Sequence, residues 1–259
     1  MPSSEIQSYA DLLYESERGR IAIPPISSGN PALTVDDAYA IQLANVGRVV
    51  GMGHVVSGKK IGLTSEGIQK QLGVSEPDYG HLFAAMHCAD GIVHTDQLIQ
   101  PKIEAELAFV LASDLAGGNV TADDVRAATD YVAGAFEIVD SRVADWKITL
   151  VDTVADNASS GRYILGEARL KANDADLPSE AMRLYKNGEL AMEGTGAAVL
   201  GDPCIAVAWL ANRLWSYGIP LKKGELILSG AFSAAPAAQK GDIFTVEFAS
   251  FGSIRAEFA

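Results

Sequence analysis

An α+β fold with a mostly antiparallel sheet system is predicted by three observations. Apolar residues recur at helical spacing near the N-terminus, and strand-length apolar runs crowd the second half of the chain. Between Met182-Arg183-Leu184-Tyr185 and Leu190-Ala191-Met192 stands Asn187-Gly188, a pair that suits the two positive φ angles of a type I′ hairpin turn. Helices gathered early and strands gathered late argue against alternating βαβ units. With 259 residues, 48% hydrophobic and 20% charged, the chain can bury one large core, or a large one with a small companion.

The elements follow in order. From Ser4 to Arg18, Ile6, Tyr9 and Leu13 recur beside Asp11, Glu15 and Glu17, the pattern of an amphipathic helix with its polar face in solvent. Pro24-Pro25, Ser27-Ser28-Gly29 and Pro31 make a loop of Ile21 to Ala32. Thr34-x-x-Asp37 reads as a capping box opening a second helix with Ala38, Ile41 and Val46 on its apolar side. Val55 to Ser65 is a short strand carrying Lys59-Lys60, and a helix runs from Ser65 to near Gly73. A lysine in such a run is either an edge-strand gatekeeper or an ammonium aimed into a pocket, and the usual exposure of lysine favours the gatekeeper. Ser75 to Gly80 is a turn, where Asp78 has an ordinary turn role open to it.

Pro101 to Leu111 is a strand, and Thr121-x-x-Asp124 caps a helix running to about Tyr131. The run Gly134 to Asp140 is a further strand, and Asp152 to Gly161 a polar, small-residue loop. After the hairpin, Asp202-Pro203 opens a helix through Ile205, Trp209, Leu210 and Leu214, ended by Gly218. Strands at Leu226–Gly230 and Ile243–Phe248, each preceded by a Lys-Gly-acid turn, and a closing strand Ser253–Phe258 complete the chain.

The chemistry concentrates in Ile103-Glu104-Ala105-Glu106-Leu107. Strand periodicity puts Glu104 and Glu106 on one face and the apolar residues on the other. If that face is solvent, the pair means nothing. If it is half-buried, two bare carboxylates repel and lose hydration unless something neutralises them. A third glutamate in a similar apolar run, Glu137, tips the balance. Three carboxylates with no neighbouring Cys or His form a hard, all-oxygen donor set suited to Mg²⁺ or Mn²⁺. Such sites keep positions open for water or substrate, which favours catalysis over a structural ion.

Other classes lose support. A net charge of −13 and a pI near 4.7 argue against nucleic acid or an anionic membrane as partner. Two cysteines without paired spacing suggest neither a disulfide framework nor a zinc site. No run reaches membrane-spanning length, and Met1-Pro2-Ser3-Ser4-Glu5 has neither a basic nor an apolar leader segment, so a cytoplasmic setting is expected. His54, His81, His87 and His94 lack metal-ligand spacing, and no serine elbow, Walker loop or dinucleotide turn occurs.

Five ordered blocks, Gly58-Lys59-Lys60-Ile61-Gly62-Leu63-Thr64-Ser65, Glu76-Pro77-Asp78-Tyr79-Gly80, Pro101 to Glu106, Phe136 to Arg142 and Asp152 to Ser159, together resemble the 2-hydroxypenta-2,4-dienoate (2-keto-4-pentenoate) hydratase family. The resemblance spans the chain. It implies a small N-terminal α/β region, residues 1–75, and a fumarylacetoacetate hydrolase-like catalytic domain, residues 76–259, in which a mixed β-sheet roll is flanked by helices. It implies a divalent metal, Mg²⁺ or Mn²⁺, on Glu104, Glu106 and Glu137. Lys60, Asp78 and Ser159 would be catalytic, with Lys60 turned into the pocket against the gatekeeper reading. Leu63, Thr64, Asp156 and Asn157 would bind substrate. It further implies a small 2-oxo or 2-hydroxy acid substrate from aromatic meta-cleavage, a homo-oligomer (pentamer or decamer), and association with the pathway's aldolase or decarboxylase. Lys102 and Ser160 look more like the related 4-oxalocrotonate decarboxylases, whereas Asp145-Trp146-Lys147-Ile148 and Val207 to Asn212 look like the hydratases. A fumarylacetoacetate-type hydrolase lacks a matching histidine here, and a non-catalytic scaffold has no use for the three glutamates.

Overall fold

The computed structural model describes residues 1–65, 67, 69–70 and 73–259. Two mixed sheets carry the fold, in keeping with the expected α+β roll. The first takes β1 (Val56–Gly62), β2 (Asp78–Phe83), β4 (Lys102–Leu111), β5 (Thr129–Val139), β6 (Ser160–Leu165) and β9 (Leu226–Ala231), in the order β2-β1-β9-β4-β5-β6. The second takes β3 (Ile92–Val93), β7 (Ala181–Lys186), β8 (Glu189–Thr195), β10 (Ile243–Phe248) and β11 (Gly252–Phe258), in the order β3-β11-β10-β7-β8. Among the described pairings of these strands, β1/β9 and β3/β11 are parallel and the others antiparallel. Residues 75 and 76 fall between β1 and β2, which pair with each other along their length.

Helices α1 (Ser3–Gly19) and α3 (Val35–Gly51) pack together, with the single turn α2 (Ile26–Gly29) between them in the chain. Thr34 and Asp37 form the expected capping box at α3, and Thr121 and Asp124 another at α4 (Ala122–Ala128). Each box satisfies amide groups that a helix end leaves without an internal partner. Helix α6 (Pro203–Trp215) starts on Asp202, whose carboxylate accepts from the Cys204 amide at 2.8 Å. Asn187 and Gly188 have φ of 54° and 85°, the type I′ geometry.

The main core lies where Ile103, Leu107, Phe109, Phe136 and Ile138 of the first sheet meet Phe244, Val246 and Phe258 of the second, together with Val207 and Leu210 of α6. Each large apolar side chain buried there contributes about 1.5–3 kcal/mol. β4 is central in its sheet and buried on both faces, so the other face must also be lined by packed or paired groups.

Asp152 to Gly161 is not the plain loop expected: it contains the second half of helix α5 (Leu150–Ala155), a 3₁₀ turn at Asn157–Ser159 and the start of β6. The cause is a third capping box, Thr149-x-x-Asp152. The Asp152 carboxylate accepts from the Thr149 amide and hydroxyl and from the Ser27 amide and hydroxyl, tying the N-terminal loop to α5. The two longest strands, β4 and β5, precede residue 140, so strands are not confined to the later half. The helix expected from Ser65 to near Gly73 falls on a stretch that includes residues 66, 68, 71 and 72, outside the described residues.

Candidate active site

Register alone brings the three glutamates together. β4 and β5 are antiparallel neighbours in which Glu104 pairs directly with Glu137 and Glu106 with Ala135, so all three side chains leave the same face. One carboxylate oxygen from each lies within 4.8 Å of the others. Glu106 and Glu137 are 0% and 1% exposed, while Glu104 keeps partial exposure towards a cavity of about 510 Å³ that it helps line. Among the described residues, Glu106 Oε1 and both Glu137 oxygens have no hydrogen-bond donor. Buried carboxylate oxygens are rarely left so, because the desolvation cost of each is of the order of 1–3 kcal/mol or more.

Lys60 comes from β1 on the same face, 3% exposed, with Nζ 3.1 Å from Glu137 Oε1. This is an ion pair without the angle of a hydrogen bond, which is why the Glu137 oxygens remain open. Burial by itself would lower the lysine, but Glu137, Asp78, Glu104 and Glu106 outweigh it and hold the ammonium above its ordinary range. Lys60 is therefore a fixed cation in the pocket, and the gatekeeper reading is overturned. Lys59 is no gatekeeper either: it points to the opposite face of an interior strand, is buried, and pairs with Glu225 at 2.7 Å.

Burial raises Glu104 to about 7, helped by the Glu137 charge, and holds Glu106 well above the ordinary carboxylate range, helped by Glu137 and Glu104. Gly230, in the left-handed region at φ 113°, donates its amide to Glu106 Oε2 at 2.6 Å. A side chain there would sit 2.3 Å from Thr64 Oγ1, so glycine is required both by conformation and by space. Asp78, 1% exposed, starts β2 opposite Gly62 and accepts from Thr153 Oγ1 at 3.3 Å. Its other oxygen lies 2.3 Å from where a Cβ on Gly62 would be, so Gly62 makes room for this carboxylate. Burial pushes the Asp78 carboxyl up, against the pull of Lys60.

The cavity is also lined by Leu63, Thr64 and Ser159, and by Lys102, Trp146 and Thr153. Asp156 and Asn157 are placed elsewhere. Asp156 is buried in an ion pair with Arg142, and the Asn157 amide side chain accepts from the His81 N–H at 2.7 Å and donates to the His81 carbonyl at 2.9 Å. Both hold the loop behind Ser159 and do not line the cavity. Thr153 was obscured by the loop reading: recognising the Thr149 box would have put it on a helix face next to Asp78.

The donor set passes the test for a hard divalent cation, with three converging carboxylates, proton affinities of Glu104 and Glu106 raised by burial and by mutual repulsion, and oxygens that nothing else in the described chain satisfies. Beside it lie a fixed ammonium, a protonatable aspartate and space for a small molecule. That combination is a candidate divalent-metal centre beside a small-molecule cavity, built on a two-sheet roll.

The fumarylacetoacetate hydrolase C-terminal family matches residues 77–259. A 2-keto-4-pentenoate hydratase of Paraburkholderia xenovorans is 46% identical over 259 residues, covering 100% of this chain and 96% of the relative. A 2-hydroxyhexa-2,4-dienoate hydratase of Comamonas testosteroni is 44% identical over 256 residues, covering 98% and 97%. The solved 4-oxalocrotonate decarboxylase of Pseudomonas putida G7, complexed with magnesium and adipate, superposes with a TM-score of 0.97 at 36% identity, covering 100% and 99%. The chain belongs to the 2-keto-4-pentenoate hydratase family within the fumarylacetoacetate hydrolase superfamily.

Proposed function

We propose that this protein hydrates 2-hydroxypenta-2,4-dienoate, or an analogue substituted at C5, to the 4-hydroxy-2-oxo acid in the meta-cleavage breakdown of aromatic compounds. The observation that carries the reading is the convergence of Glu104, Glu106 and Glu137, the last two with unpartnered oxygens, beside a cavity that Glu104, Lys60 and Asp78 line. Full-length identity of 46% to a named hydratase supports the choice of reaction.

Glu104, Glu106 and Glu137 would hold the cation, Mg²⁺ or Mn²⁺. When bound, it supplies Lewis acidity towards a 2-oxo acid. Lys60 places positive charge beside the substrate carboxylate and offsets its burial. Ketonisation moves the 2-hydroxyl proton to C5, and hydration then adds OH at C4 and H at C3. Asp78, kept protonatable by burial, is positioned to carry those protons. Leu63, Thr64 and Trp146 wall the substrate away from bulk water, and Ser159 offers an oxygen to water or to the substrate. The catalytic set draws on both sides of the proposed 75/76 division, since Lys60, Leu63 and Thr64 precede it. The reading includes a cytoplasmic homo-oligomer, a pentamer or decamer; Val50 near the end of α3 and Met52 and Val55 after it are exposed apolar residues that a subunit contact would cover.

A second reading has an observation of its own. Lys102 Nζ stands over the Trp146 ring, 4.3 Å from its centre, in the lining of the same cavity. A cation at that position would suit the distal carboxylate of a dicarboxylic 2-oxo acid, the substrate type of a decarboxylase. One assay separates the two. The protein is incubated with 2-hydroxypenta-2,4-dienoate and with 2-oxohex-3-enedioate, each with Mg²⁺ or EDTA. Metal-dependent 4-hydroxy-2-oxopentanoate from the first supports hydration, and CO₂ from the second with no hydration of the first supports the alternative.

A further inference from the structure

Behind the cavity, Asn157, Ala158 and Ser159 have φ of 53°, 50° and 52° in succession. None is glycine. A run of three left-handed residues is a conformation that L-amino acids avoid, so the surrounding structure must impose it. Asn157 is clamped by the His81 backbone on one side. On the other side stands Arg142, 4% exposed, whose guanidinium gives three of its four hydrogen bonds to the residues flanking this turn. Its Nη1 donates to the carbonyls of Asp140 and Ser160 at 2.8 and 2.9 Å, its Nη2 to the Asp156 carbonyl, and its Nε to Asp156 Oδ1. The Arg142 amide donates to Asp156 Oδ2 at 3.0 Å. That same oxygen accepts from Ser159 Oγ at 3.3 Å, and Ser159 lines the cavity.

We propose that Arg142 is a positioning residue for the reaction, acting through Asp156 and the left-handed turn to present Ser159 Oγ to the substrate as a hydrogen-bond acceptor. The direction follows from the contact. An ionised Asp156 can only accept, so the Ser159 hydroxyl gives its proton away from the cavity and turns its lone pairs inward. An acceptor there holds a donor, either the water that adds or a substrate hydroxyl. The planar fork of arginine is what reaches four oxygens in different directions, and a lysine ammonium of equal charge cannot. The inference rests on the cavity being the active site.

A double-mutant cycle tests it on the full-length, metal-loaded protein. Arg142→Lys is expected to stay folded by circular dichroism and to bind Mg²⁺ within about twofold of wild type. Its kcat should fall roughly 10- to 100-fold while KM moves little. Ser159→Ala should fall comparably, and the double variant no further than Ser159→Ala alone. Independent, multiplying losses would overturn the proposal, as would a Ser159→Ala enzyme with wild-type kcat. Should Arg142→Lys not fold, Asp156→Asn takes its place in the cycle, where non-additive losses again support the proposal and multiplying losses overturn it. If the wild-type protein makes no hydrated product, the hydratase reading fails separately. The cycle then runs on affinity for the unreactive 2-oxopentanoate by calorimetry, with non-additivity expected and additivity overturning the proposal.

Discussion

Two buried charge clusters, one carried by β1, β4 and β5 and the other joining the segment after β5 to the end of α5, are built on opposite principles. At the rear, Arg142 and Asp156 are closed into a network in which both Asp156 carboxylate oxygens and the guanidinium all have partners. At the front, Glu104, Glu106, Glu137 and Lys60 carry a net excess of negative charge and leave three carboxylate oxygens without donors. Satisfied networks specify a structure, while unsatisfied ones store a demand that a ligand can meet. The difference therefore marks which cluster serves chemistry and which serves shape, although both consist mostly of buried side chains.

The sharpest way to break the comparison is to treat the two clusters alike. Glu106→Gln, which removes one of the mutually repelling front carboxylates, should cut metal-dependent turnover by roughly 10³-fold and leave the melting temperature unchanged or higher. Asp156→Ala strands a buried guanidinium and should cost about 3–5 kcal/mol in denaturant unfolding, with Mg²⁺ affinity of the folded fraction retained. If Glu106→Gln were the destabilising change and Asp156→Ala the tolerated one, the distinction would be wrong.

A smaller effect concerns His81, whose backbone joins the rear loop. Burial lowers its pKa to about 4, and its Nδ1 lies 3.1 Å from Gln42 Oε1. Because the folded value lies below the unfolded value of about 6.5, the unfolded chain takes up the proton first. This contribution to stability is complete above the unfolded value and is lost as pH falls from there towards 4. On the order of 3 kcal/mol should disappear across that window in wild type, and His81→Gln should flatten this part of the urea-stability profile. An unchanged slope in the variant would place the pH dependence elsewhere.

The front cluster was legible in the sequence because period-two geometry is rigid: Glu104 and Glu106 had to share a face, and Glu137 lay in a run that could pair with theirs. What single-strand periodicity could not show was the register that sets Glu104 opposite Glu137, nor which of two adjacent lysines faces the pocket. Strand alternation requires Lys59 and Lys60 to diverge, but only the parallel pairing of β1 with β9 decides the direction. The rear cluster was misread, since Asp156 and Asn157 carry polar groups in a block that also contains Ser159. Their side chains are consumed by Arg142 and by the His81 backbone, contacts between distant parts of the chain that no local pattern announces. The short helix α5 is hidden in the sequence because Asp152 and Thr153 run on into the polar Asp156 to Ser160, and the box that starts it, Thr149-x-x-Asp152, straddles the boundary of that stretch.

Calorimetric titration of the metal-free protein with Mg²⁺ or Mn²⁺, beside Glu137→Gln, tests the central claim most directly. The convergence of the three glutamates predicts one saturable divalent site per chain in wild type and none in the variant, with both proteins folded. Unchanged stoichiometry and affinity in Glu137→Gln would contradict it.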